Sequence, residues 1–214
     1  MRVRIERRWV RRVWITVEHT GTVVVTASPR YAESTLQRLI ERHRAWIERQ
    51  RERYRTMDRI RLHPGQLLYR GQVYRFVCRQ RLGEQVLIYP ARAIIESGEN
   101  LLDPAIQRQW YSNEAERLLR RRVGQLAVRF GFYYWRFRVG DYVSAWGYCS
   151  ADGTLTFDWR IAKLPPHVMD YLIVHELLHT KIPHHGPRFW RRLEDLLPNY
   201  RRAVEWLRTY GRWV

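Results

Sequence analysis

One segment limits the fold more than any other. Pro165-Pro166 opens a helix and Pro183 must end it. Between them Tyr171, Leu172, Ile173, Val174, Leu177 and Leu178 form an apolar run that has to be buried. His175 and His179 sit inside that run, four residues apart. Four residues turn a helix by roughly 400°, so the two imidazoles share one face, a turn apart. Imidazoles buried among aliphatic side chains need polar partners, and one metal ion can serve both. A surface helix with two incidental histidines would not account for the apolar neighbours. Glu176 is offset by about 100°, beside such an ion without binding it. Catalytic zinc takes three protein ligands and keeps a fourth position open. His185 is the expected third ligand, because the chain can fold back beyond the break at Pro183. The spacing therefore predicts a Zn2+ site held by His175, His179 and His185. Glu176 is the expected general base, and the expected chemistry is peptide hydrolysis through a zinc-activated water.

The rest of the chain supplies a scaffold of 214 residues, room for one domain or two small lobes. Val13, Ile15 and Val17 alternate with polar residues, and His19-Thr20-Gly21-Thr22 reads as a hairpin turn into Val23-Val24-Val25. A helix is expected from Ala32 to Arg55, with Leu36, Leu39, Ile40, His43 and Ile47 on one face. Short strands follow over 62–102, with turns at Arg70-Gly71 and Ser97-Gly98. Asp103-Pro104 then starts a helix that Gly131 stops. Strands are expected over 134–139, 142–149 and 154–161, with a hairpin at Asp152-Gly153 between the last two. Pro187 opens a further helix and Asn199 caps a last one. The expected fold is α+β. Residues 1–102 form a strand-rich N-terminal lobe with one long helix. Residues 103–214 form a zincin-like core in which a twisted antiparallel sheet packs on the His175 helix.

Charge adds a second theme. The net charge is +18, and only Lys163 and Lys181 among the 39 basic residues are lysines. Arg7-Arg8, Arg11-Arg12, Arg120-Arg121-Arg122, Arg191-Arg192 and Arg201-Arg202 form clusters interleaved with Trp and Tyr. Such a surface suits nucleic acid or another polyanion, although no DNA-binding motif accompanies it and a solvated arginine-rich face is the plainer reading. Cys78 and Cys149 make no CxxC pair. The residues after Met1 lack the apolar core of a signal peptide, and no apolar run approaches the ~18 residues of a membrane span. A cytoplasmic protein acting on protein or peptide is the expectation. A basic nucleic-acid-associated protein and a zinc-bound, non-catalytic scaffold are the alternatives.

A family resemblance rests on further residues. Ala145-Trp146-Gly147-Tyr148-Cys149-Ser150, Phe157-Asp158-Trp159-Arg160-Ile161, Pro165, Asp170-Tyr171, the HELLH segment, His184-His185-Gly186, Phe189-Trp190 and Pro198 follow in that order. The series resembles the YgjP-like metallopeptidases, relatives of the SprT-like zinc peptidases, most closely over 135–210. The resemblance implies that His175, His179 and His185 bind zinc and that Glu176 is the general base. Through the SprT-like relatives it also raises DNA-linked proteolysis. The sequence departs from the pattern at Tyr148 (for Ser), Asp158 (for Asn), and His184 and Gly186 (for Asn and Ser). His184 is therefore a rival third ligand. Tyr148 is a possible oxyanion donor or substrate contact, with simple packing as its alternative. Cys149 is either near the metal or a small buried residue. The strand Ser144 to Ser150, or Thr154 to Trp159, can hold an extended substrate by edge pairing.

Overall fold

The computed structural model describes residues 2–18, 21–58 (53–58 by their backbone), 62–142, 145–211 and 214. The chain forms two units, Met1–Arg61 and Leu62–Val214. In the first, β1 (Val3–Arg7), β2 (Trp14–Val17) and β3 (Val23–Ala27) form a sheet in the order β1-β3-β2. β1 runs parallel to β3 and β2 antiparallel to it. Gly21 has φ 78° at the expected turn, whereas His19 and Thr20 lie outside the described residues. The long helix expected here is two helices, α1 (Glu33–Arg42) and α2 (Arg44–Asp58), interrupted at His43. Leu36, Ile40 and Ile47 still share one core with Val17, Val23, Val25 and Ala27.

The division falls between Arg61 and Leu62, not near 102 as the sequence suggests. The reason is packing. β4 (Gln66–Tyr69), β5 (Gln72–Cys78), β6 (Val86–Tyr89) and β7 (Ile94–Ser97) form a sheet in the order β4-β5-β7-β6. Its residues Leu67, Tyr69, Tyr74 and Ile95 are buried in the same core as the helices that follow. The Arg70-Gly71 turn approaches Pro165 so closely that a Cβ on Gly71 would lie 2.5 Å from the proline Cγ. That turn bonds to Ala162 and Lys163 through its own backbone N–H groups. It is tied in this way to the segment just before the His175 helix.

Helix α3 (Pro104–Phe130) begins and ends as its sequence dictates. The Asp103 carboxylate accepts from the Ala105 and Ile106 N–H groups, and Gly131 closes the helix in the left-handed region at φ 67°. Then come β8 (Arg136–Gly140), β9 (Gly147–Cys149) and β10 (Thr154–Asp158), in the order β8-β10-β9. This sheet is mixed rather than antiparallel as expected, because β8 pairs parallel with β10. The hairpin at Asp152-Gly153 reverses the chain between β9 and β10, and β9 lies on the far side of β10. Two reversals therefore return the chain to the direction of β8. Ser144, the expected start of a substrate-pairing strand, lies outside the described residues.

Helix α4 (Pro166–His179) is buried on nearly every side, with Val168, Ile173, Val174 and Leu177 fully covered. It packs against α3, β9, α5 (Pro187–Leu196) and α6 (Tyr200–Tyr210). Asp170 receives two charge-assisted bonds from Arg122 of α3, at 2.6 and 2.7 Å. Asn199 stands at the N-cap position of α6, but its side chain makes no capping bond, contrary to expectation. Among the described residues no helix is long and apolar enough to cross a membrane.

Candidate active site

The apolar character of α4 buries it, and its burial fixes where His175 and His179 point. Their Nε2 atoms lie 3.3 Å apart. Thr180 closes the helix, its hydroxyl donating to the Leu177 carbonyl, and the chain turns back through Pro183. The return brings the His185 Nε2 to 2.8 Å from His175 and 3.0 Å from His179. His184, the rival in sequence, is exposed and stands outside this cluster of three.

Each ring is held from behind. The Nδ1 of His179 lies 3.1 Å from the Ile182 carbonyl. A carbonyl only accepts, so Nδ1 carries the proton and Nε2 turns its lone pair toward the other two histidines. The Trp190 indole N–H donates to the His185 carbonyl at 3.0 Å and fixes the loop that carries the third ring. Phe189 is fully buried, its ring centre 4.9, 4.7 and 4.8 Å from those of His175, His179 and His185. The Nδ1 of His175 is buried with no hydrogen-bond partner among the described residues. Burial pushes the His175 imidazolium down to about 3, helped by the two neighbouring histidines, and burial also lowers His179. Both rings are therefore neutral at neutral pH, the state in which an imidazole can ligate a metal.

Glu176 lies one residue around the helix and is only 5% exposed. Burial raises its carboxyl to about 7, while a hydrogen bond from the Cys149 backbone N–H works in the opposite direction. That N–H belongs to edge strand β9, so the sheet orients the carboxylate. The fit is tight. A Cβ on Gly147 would meet the Thr156 carbonyl at 2.9 Å, the Phe157 ring at 3.0 Å and the Glu176 Cγ at 3.3 Å. Cys149 is half-buried, and burial, then the charges of Glu176 and Asp152, push its thiol up.

The three histidines and Glu176 line an open cleft of about 980 Å³. β9 forms one side of it, and Tyr148 lines it while 45% exposed, its ring edge-on to Tyr142 at 5.6 Å. Asp158 does not reach the cleft. It is fully buried, accepting from the Tyr142 N–H at 2.7 Å and from the Arg160 guanidinium at 2.6 Å, which secures the end of β10. Sequence reasoning passed over Tyr133 and Trp135, which also line the cleft, and the Ile182 carbonyl and Cys149 N–H behind the site. Backbone groups carry no side-chain signature, and an aromatic residue after a helix stop reads equally well as core.

A family model for the YgjP-like metallopeptidase domain matches residues 11–210. Among solved structures, the metallopeptidase zymogen of Pyrococcus abyssi abylysin is similar at 22% identity, over 44% of this chain and 94% of that one, with a TM-score of 0.39. No curated protein matches the chain.

Proposed function

The chain belongs to the YgjP-like metallopeptidase family, and from that premise we propose that it is a single-zinc endopeptidase with a zincin-like active site. One observation carries the reading: three imidazoles bring their Nε2 atoms within 3.3 Å of one another beside a buried carboxylate. The donor set fits zinc. Tetrahedral ligand atoms about 2.1 Å from zinc lie roughly 3.4 Å apart, close to the spacings found. His175, His179 and His185 would hold the ion, which supplies Lewis-acid polarisation of a carbonyl oxygen and a lowered pKa for water.

The remaining work belongs to side chains and backbone. Glu176, steadied by the Cys149 N–H, takes a proton from water on a carboxylate oxygen and passes it to the departing amine. A carboxyl raised by burial toward neutral pH is matched to both transfers. The edge strand β9 lines the cleft and offers backbone pairing to an extended peptide. Tyr148 is assigned a substrate contact on the same wall.

The test is metal analysis joined to peptide cleavage by the wild type and by Glu176→Gln. One zinc per chain is expected in both proteins, and cleavage by the variant should fall about 10²–10⁴-fold. Equal cleavage by the two would remove Glu176 from the chemistry. Wild-type protein without zinc affinity would remove the site.

A further inference from the structure

The chain carries 39 basic residues, yet among the described residues no lysine or arginine lines the candidate cleft. Its mouth is aromatic. Beyond the stop of α3 at Gly131, exposure alternates along the chain as in an extended segment. Phe132 is 5% exposed and anchored in the core, Tyr133 is 86% exposed, Tyr134 is half-buried and Trp135 is 74% exposed. All three of Tyr133, Tyr134 and Trp135 line the cleft that holds the histidines and Glu176, and Tyr133 and Trp135 are the two that are mostly exposed there.

We propose that Tyr133 and Trp135 form a fixed aromatic shelf that selects peptide substrates carrying a bulky apolar side chain near the bond to be cut. The proposal rests on the peptidase reading above. Three observations favour a substrate side chain as the occupant. The rings belong to the same cavity as the reacting groups, not to a separate face. Their backbone is pinned on both sides: the Phe132 N–H donates to the Ala127 carbonyl at 2.9 Å, and the Trp135 N–H to the Gly153 carbonyl at 2.9 Å. Lys181 adds a bond from its ammonium to the Gly131 carbonyl at 2.8 Å. Rings held on a fixed segment lose little freedom when a ligand covers them. Finally, the described lining of the cleft offers an acidic side chain no lysine or arginine to pair with, while exposed indole and phenol rings gain from burial against apolar groups.

The experiment uses zinc-loaded full-length protein and internally quenched peptides identical except at one position, which carries Phe, Leu, Ala, Arg or Glu and is scanned along the peptide. At one position near the cut, Phe and Leu should exceed Ala, Arg and Glu by about tenfold in kcat/KM. The double variant Tyr133→Ser/Trp135→Ser should lose that preference with its zinc content and melting temperature unchanged. Calorimetric binding of the Phe and Ala peptides to Glu176→Gln protein, with and without the double change, reads the shelf without turnover. Cleavage with no such preference, or a preference that survives the double change, overturns the shelf and leaves the peptidase reading standing. Absence of cleavage of every peptide overturns the peptidase reading, and the binding measurement then decides the shelf: equal affinity for Phe and Ala peptides sinks it.

Discussion

Helix α5 separates two unlike environments. Its inward residues Phe189 and Leu193 are fully buried, and Phe189 touches all three histidine rings. Its outward residues Arg188, Arg191 and Arg192 join Lys181 around a small pocket of about 290 Å³, with Asp195 as the sole acid lining it among the described residues. Among the described residues, the cleft on the histidine side has no lysine or arginine in its lining. Among the described residues, the positive charge around α5 is therefore kept to the face away from the histidines. The segment 132–133 shows the same division at single-residue scale: Phe132 lines the basic pocket and Tyr133 lines the cleft with the histidines. Composition invites a polyanion partner, but the surface that would greet one is not the surface that carries the candidate chemistry.

The contrast can be tested at several strengths. Phe189→Ala removes a buried ring from the inward face and should cost about 3–5 kcal/mol of stability. It should also weaken zinc retention, read by thermal unfolding with and without a chelator. A variant as stable and as metal-retentive as the wild type would show that the inward face does not support the histidines. Next is Gly147→Ala, whose methyl group has no room beside Thr156 and Glu176. Cleavage should fall by about 10²-fold, since a displacement on the order of 1 Å suffices for that loss, with zinc content retained. Loss of zinc and activity together would mean that the strand supports the metal site and not the base alone.

A smaller effect concerns pH. Burial lowers the Lys163 ammonium to about 8, Arg160 adds to the shift and Asp158 opposes it. Its Nζ donates to the Val214 backbone oxygen at 3.0 Å and lies 4.9 Å from the Tyr111 ring centre. Below pH 8 the lysine is charged in both folded and unfolded chains, and the fold bears the full penalty of burying that charge. Above pH 8 the folded lysine releases its proton while the unfolded chain still holds one, so stability should rise with pH up to about 10. Lys163→Met should flatten that rise in denaturant titrations across the window. An unchanged slope would locate the titrating group elsewhere. The smallest effect is expected on the outward face. Arg188→Ser/Arg191→Ser/Arg192→Ser should leave cleavage of an uncharged peptide within about twofold of wild type, as for surface substitutions in general. A tenfold loss would join the basic pocket to substrate recognition and end the contrast.

Local signals in the sequence were the ones that translated into structure. Asp103, Pro104 and Gly131 bound a helix because capping is decided by adjacent groups. Asp152-Gly153 turns a hairpin for the same reason, with Gly153 at φ 79°. The spacing of His175 and His179 translated directly into adjacent rings, because a helix fixes that relation by itself. Spacing favours His185 over its neighbour His184 as the third member, and the return of the chain beyond Pro183 brings His185 into the cluster. Pairing between distant segments left no trace. The parallel match of β8 with β10, that of β1 with β3, and the docking of Leu67 and Ile95 into the larger core all depend on contacts formed far along the chain. Nor does a residue type reveal exposure after a helix stop, so Phe132 and Tyr133 were indistinguishable until the fold placed them on opposite sides.

The imidazoles, the carbonyl that sets the His179 tautomer and the ring of Phe189 all fall between residues 175 and 189. The group that steadies Glu176 comes instead from Cys149, on another element. The three rings thus come from one continuous stretch, whereas the backbone group beside Glu176 comes from a separate sheet, so the two halves of the candidate site depend on contacts of very different range.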